Sequence, residues 1–202
     1  MLTNNQYVRS HLTHEAAWKD SHNATDDYLG WGMFYYSLAY SLKARLCVCL
    51  GSGAGFVPRI MRQAQRDLEL PDARTVLVDA NLQEAGGEYP QWPNEDHFFR
   101  RAFSDVEIVQ ARTLDAAPSF KDIDYLHIDA DHSYKAVKMD FETYEPRMRR
   151  GGVITLHDTT VRRAGVRRLL AELRADEQFD VLHFPQCNAG IAAVMRIPHE
   201  DE

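Results

Sequence analysis

Leu46-Cys47-Val48-Cys49-Leu50-Gly51-Ser52-Gly53-Ala54-Gly55-Phe56 is the stretch that decides the fold. A short apolar run breaks into three alternating glycines and then into Val57, Ile60, Met61, Ala64 and Leu68 at helical spacing, which reads as strand, tight loop, helix. Glycine permits a positive φ and leaves no Cβ in the way. A ligand can therefore lie against the backbone where the helix N-terminus presents free N–H groups, with Gly51, Ser52, Gly53 and Gly55 as its cradle. The spacing is GxGxG, and Phe56 stands where a dinucleotide fingerprint carries its last glycine. Taken alone, the loop is equally a tight strand-to-helix turn.

The surrounding chain narrows the reading. At 202 residues and 45% hydrophobic, the chain fits one core better than two. A net charge of −7 argues against a nucleic-acid binder, which needs a positive field facing phosphates. No apolar run approaches the roughly 20 residues of a membrane span, and Met1 to Trp18 is too polar for a signal peptide, so a cytoplasmic protein is expected. Cys47 and Cys49 alternate on one strand with Cys187 far away; they read as reduced packing residues.

Residues 1–27 form a polar arm with one short helix expected near His14 to Asp20. The domain proper spans 28–197, and 198–202 is a polar tail. Trp31, Phe34, Tyr35, Leu38 and Leu42 mark a helix that packs on the sheet, from which Trp31 or Tyr35 could also line a ligand pocket, and which equally offers a dimer contact, as in a homo-oligomer. Thr75 to Asp79 is a buried strand ending on a carboxylate, which at this place can accept hydrogen bonds from the ribose hydroxyls of an adenosine or serve as a turn residue. Leu82 to Asp96 reads as a long loop, either a lid or an insertion, and His97 to Phe103 as a short helix. Val106 to Gln110 is a third strand, followed by Arg112 and Thr113 where an adenine could be contacted.

Asp124 to Ile128 is a fourth strand running into Asp129, Asp131 and His132. A helix marked by Tyr134, Val137, Phe141, Tyr144 and Met148 follows, closed by Arg149-Arg150-Gly151-Gly152. Val153 to Thr160 is the fifth strand and ends on His157 and Asp158. Parallel neighbours bring Asp129, His132, His157 and Asp158 to one edge, where the glycine loop opens. Val161, Val166, Leu169, Leu170 and Leu173 mark the next helix. Phe179 to Phe184 and Gly190 to Ile197, joined by five residues, pair antiparallel.

Five strand-helix repeats and a terminal hairpin make an α/β, doubly wound, Rossmann-like sheet of seven strands, mostly parallel with a reversed last strand. In this order of elements, with LGSGAGF and Asp79, the chain resembles a class I S-adenosylmethionine-dependent methyltransferase. IDADHS and RGGVITLHDT are similar to the group of macrolide-sugar, rhamnosyl and cephalosporin-pathway O-methyltransferases. The resemblance implies methyl transfer from S-adenosylmethionine to a hydroxyl of a small molecule, assisted by Mg²⁺ or Mn²⁺. It further implies Asp129, His157 and Asp158 as metal ligands and His132 as a general base, with an unperturbed pKa of about 6.5 suited to neutral pH. Metal-dependent members often carry an acid at position 157, and the imidazole here favours Mn²⁺ or Fe²⁺ over Mg²⁺. A catalytically silent partner subunit of the same fold is the alternative. A nicotinamide oxidoreductase is disfavoured by the missing last glycine and by the hairpin.

Overall fold

The computed structural model describes residues 4–52, 55–80, 98–163 and 165–198. The strands are β1 (Leu46–Leu50), β2 (Arg74–Asp79), β3 (Glu107–Gln110), β4 (Ile123–Ile128), β5 (Met148–His157), β6 (Phe179–Phe184) and β7 (Ile191–Arg196). They form one sheet in the order β3-β2-β1-β4-β5-β7-β6. β1 pairs parallel with both β2 and β4, β2 with β3, and β4 with β5, whereas β7 runs antiparallel to both β5 and β6. The helices are α1 (Gly32–Ser41), α2 (Phe56–Asp67), α3 (Phe98–Ala102), α4 (Thr113–Ala116), α5 (Tyr134–Tyr144) and α6 (Val166–Ala175). Gly53 and the expected loop at 82–96 lie outside the described residues.

Strands covered on both faces read as continuous apolar runs, and their alternate residues divide between two cores. Cys47 and Cys49 join Tyr35, Ile60, Met61 and Tyr125 under α1, α2 and the N-terminal arm. Val48 and Leu50 join Leu126, Ile128, Phe141 and Leu169 under α5 and α6. Each such buried aliphatic side chain contributes about 1.5–3 kcal/mol. The chain leaves β1 toward β2 on one side and reaches β4 on the other. A crevice therefore opens at the carboxyl ends of these central strands.

Several boundaries differ from the sequence expectation, and β5 also ends at His157 rather than Thr160. β5 begins at Met148 rather than Val153, so Arg149 and Arg150 belong to the strand instead of closing α5, which ends at Tyr144. The Arg149 guanidinium pairs with Asp124, and the backbone beside it pairs Met148 with Ile123 ahead of an irregularity in register. α6 starts at Val166, and Val161 is exposed. The preceding segment crosses the start of α5 at Gly165, whose N–H donates to the His132 carbonyl at 2.6 Å. A Cβ at Gly165 would lie 1.9 Å from the Tyr134 nitrogen.

The arm differs most. Helical turns occupy Asn5–Tyr7, Val8–Leu12 and Lys19–His22 rather than His14 to Asp20. Val8, Leu12, Ala16, His22 and Ala24 are buried. Arg59 on α2, fully buried, donates to the carbonyls of His11 (3.2 Å), His14 (2.6 Å) and Gly55 (3.0 Å). At the other end Asn188 N donates to Asn23 Oδ1 at 2.8 Å, and Asn23 Nδ2 to Asn188 Oδ1 at 3.0 Å. The polar arm is thus ordered because remote groups satisfy its backbone and side-chain hydrogen bonds.

Arg59→Met keeps the aliphatic bulk and removes those donors. It is expected to cost about 1–3 kcal/mol, the desolvation penalty of carbonyls left unpaired. In limited proteolysis, cleavage ahead of Gly32 should come to precede cleavage of the rest of the domain, and an unchanged digestion pattern would show that the arm does not depend on Arg59.

Candidate functional site

The first part of the site is the loop after β1. Gly51 has φ +67°, and a Cβ there would stand 2.6 Å from the Asp129 carbonyl oxygen. Its N–H donates to the Val78 carbonyl at 2.9 Å, and the Asp129 N–H to the Leu50 carbonyl at 2.9 Å, so the loop is tied to both neighbouring strands. Gly55 enters α2 at φ +78°, where a Cβ would meet the Phe99 ring at 2.9 Å. Ser52 Oγ is buried without a hydrogen-bond partner among the described residues.

Asp79 ends β2 at the same edge. Its carboxylate is half-buried and has no partner among the described residues, and burial pushes its pKa up to about 7. A carboxylate kept from water and given no donor fits a ligand that brings hydroxyl donors of its own, as a ribose does. Of the two residues expected beyond β3, Arg112 is exposed and precedes α4. The Thr113 hydroxyl is already committed, donating to Asp140 Oδ1 at 2.5 Å.

The second part is built by strand alternation. On β4, Tyr125 and His127 share a face with Asp129. On β5, Thr155 and His157 share the same face, because His127 stands beside Thr155 and Ile128 beside Leu156. That face lies under the arm and α1. His157 Nδ1 is 3.2 Å from Asp129 Oδ1 and 3.8 Å from Asp158 Oδ1. His132 Nε2 lies between the two carboxylates, 3.2 Å from Asp129 Oδ1 and 2.9 Å from Asp158 Oδ2. Asp158 itself sits just past β5 at φ +58°. The four residues expected at this edge are therefore together. Among the described residues, two groupings have ligand atoms within 4.8 Å of one another: Asp129 with His132 and Asp158, and Asp129 with His157 and His22.

His22 and His127 were not anticipated as parts of the site, and Tyr35 joins them from α1. The His22 ring lies 4.2 Å from that of His157, and its Nδ1 is 3.0 Å from Tyr35 Oη. His127 Nδ1 is 2.8 Å from Thr155 Oγ1, and the Tyr35 ring lies 5.0 Å from the His127 ring. One signal was present in the sequence: His127 interrupts an otherwise apolar buried strand. Nothing in the arm singled out His22.

Burial alone would raise the Asp129 pKa, but His157, His127 and His132 outweigh it and hold the carboxyl well below the usual range. Hydrogen bonds to Asp129 and Asp158 push His132 up to about 10. In this resting geometry His132 is an imidazolium, and the near-neutral value assumed for an isolated histidine does not apply. For His157 burial acts downward, yet Asp129 carries it up to about 10. Burial lowers His22 and His127, leaving both neutral.

A pH dependence follows from Asp79. Its pKa is higher in the folded chain, about 7, than the ordinary value of 3.8, so the folded state binds the extra proton. That contribution is fully present below the ordinary value and is lost as pH rises through about 7. Melting temperature measured between pH 4 and 8 should therefore include a decline that Asp79→Asn removes, leaving the variant the more stable protein at pH 8. Parallel profiles for the two proteins would place Asp79 in water.

The methyltransferase-domain family model matches residues 48–159. A protein of Sinorhizobium fredii (strain NBRC 101917 / NGR234), y4gI, is 30% identical over 166 residues, which is 77% of this chain and 18% of that protein. The chain thus spans under a fifth of the length of that relative. Among solved structures, the O-methyltransferase TomG of Streptomyces achromogenes, involved in tomaymycin synthesis and solved with S-adenosylmethionine, superposes with a TM-score of 0.66 at 17% identity, covering 89% of this chain and 87% of that one. An O-methyltransferase from Bacillus cereus in complex with S-adenosylhomocysteine gives 0.65 at 17% identity, over 97% and 90% of the two chains. Such distant likenesses establish a common fold, and the family match spans more than half of the sequence, from β1 through both carboxylates of the imidazole cluster: the chain belongs to the methyltransferase-domain family, with the class I fold.

Proposed function

We propose that this chain transfers the methyl group of S-adenosylmethionine to a hydroxyl of a small molecule, a sugar or a natural-product intermediate. The observation that carries the reading is the half-buried Asp79, without a partner among the described residues, standing across the Gly51 loop from the Asp129–His132–Asp158 group. One side offers a place for an adenosine, the other a place for a hydroxyl proton. When bound, S-adenosylmethionine supplies a methyl already activated on a sulfonium, so the protein's task is mainly alignment, worth roughly 7–11 kcal/mol at best.

In this reading Asp79 accepts hydrogen bonds from the ribose hydroxyls, and the backbone of Gly51, Ser52 and Gly55 leaves room for the rest of the cofactor. Arg112 and Thr113 border the adenine, Thr113 through its backbone because its hydroxyl is held by Asp140. The contact with both carboxylates is the resting arrangement; loss of one lowers the His132 pKa, its proton passes to solvent, and the neutral imidazole then takes the proton of the acceptor hydroxyl. The acceptor oxygen then bonds the methyl carbon as the carbon–sulfur bond breaks, and the electron pair remains on sulfur. Asp129, His157 and Asp158 would hold a divalent ion beside the acceptor, where it would lower the pKa of the hydroxyl; their donor set suits Mn²⁺ better than Mg²⁺.

Calorimetric titration separates the parts. Asp79→Ala should weaken S-adenosylmethionine binding about 10–100-fold, the equivalent of about 1.5–3 kcal/mol for hydrogen bonds to a charged acceptor, while the fold persists. His132→Ala should lower turnover of a hydroxylated acceptor by about 10²–10⁴ with little change in cofactor affinity. Binding of S-adenosylmethionine without turnover of any acceptor, metal supplied or not, would turn the reading to a silent partner subunit.

A further inference from the structure

We propose that Asp140 is a positioning residue for the cofactor: through Thr113 it holds the chain leaving β3 in the place from which that chain reads the adenine base. The inference rests on the methyl-transfer reading and concerns a side chain to which that reading gives no part.

Asp140 lies on the buried face of α5 and is 3% exposed. The Thr113 hydroxyl, donating to Oδ1 at 2.5 Å, is its only hydrogen-bond donor among the described residues. Burial pushes the carboxyl up to about 6 against the pull of that hydroxyl, and Asp131 adds to the rise. A buried charge is costly, and an apolar side chain of similar volume would hold α4 against α5 at least as well. What the carboxylate adds is direction. It selects one rotamer of Thr113 and so one course for the backbone beside it.

The same segment is held at further points. Tyr144, one turn along α5 and fully buried, donates its hydroxyl to the Thr113 carbonyl at 2.7 Å. Arg147, in the turn that follows, donates to the Ala117 carbonyl at 2.9 Å. From the sheet, the Ala111 N–H donates to the Asp79 carbonyl at 3.1 Å. The residues between Ala111 and Thr113 are therefore strung from the strand that ends on the ribose acid to the helix that carries Asp140. α4 has four residues, too few to hold its own place, so its first residue is located from outside. α5 begins two residues after His132, with Ser133 as its cap, and reaches Asp140 about two turns later. Adenine edge and proton-taking imidazole are thus registered on one helix, in a reaction where a misplacement of about 1 Å lowers the rate roughly 10²-fold.

The test measures, by calorimetry on the full chain, the affinity for S-adenosylhomocysteine and for S-inosylhomocysteine, in which an oxygen replaces the adenine amino group; melting temperature is followed in parallel. The parent chain should prefer the adenine compound by about 10-fold or more. Asp140→Asn keeps the shape and an acceptor but loses the charge. It should weaken the adenine compound about 10-fold and the inosine compound far less, so that the preference falls toward parity. Thr113→Val should do the same, the double variant should lose no more than either single one, and Thr113→Ser, which brings the hydroxyl back, should restore the preference. Equal weakening of both compounds would make Asp140 a residue of the fold alone, and unchanged affinity in Asp140→Asn and Thr113→Val would show that the segment does not need it. Either result overturns the proposal, as does a parent chain that takes both compounds equally. A parent chain that binds neither compound fails the methyl-transfer reading itself, and the inference falls with it.

Discussion

The absence of a side chain at Gly51 is the constraint on which the rest of the site depends. The loop that leaves β1 lies directly on the end of β4, and a single carbon there would collide with the Asp129 carbonyl. The cofactor edge and the imidazole cluster consequently share one wall, one peptide thick. Displacement of the loop displaces Asp129, and with it both groupings that use that carboxylate. The positive φ at Gly51 adds a backbone reason to the steric one.

Two carboxylates on this wall show opposite electrostatics. Asp129 is surrounded by imidazoles and stays ionised although its side chain is only 14% exposed. Asp79 is half-buried with no counter-group among the described residues, so burial alone moves it toward neutrality. Such divergence between acids on one sheet edge separates a residue already balanced within the protein from one whose balance must come from a ligand. His132 and His157 balance Asp129, and the neutral His22 and His127 complete its surroundings.

Much of the frame was readable because it rests on local pattern. Apolar runs gave β1, which breaks at Gly51, β2, which follows the Pro71 turn, and β4, which runs into Asp129, and the five-residue connection gave the reversed β7. The edge holding Asp129, His132, His157 and Asp158 followed from parallel pairing. What was misread depends on partners distant in sequence. Arg149 extends β5 because Asp124 receives it, and α6 waits until Val166 because Gly165 must pass Tyr134. The polar composition of the arm suggested partial order, but Arg59 and Asn188 satisfy it from elsewhere in the chain. The acidity of His132 was misjudged for a related reason: the reference value of an isolated imidazole carries no information about two carboxylates arriving from different strands.

The docking of the arm also sets an order in time. Its residues leave the ribosome before those of the sheet, but they bind Arg59 on α2, Cys187 in the final hairpin connection, where the thiol donates to the Ser21 carbonyl, and Asn188, 165 positions beyond Asn23. During synthesis the arm must remain unattached until nearly the whole sheet exists. A segment made before the sheet is thus among the last to settle, and its arrival over His157 marks the completion of the domain.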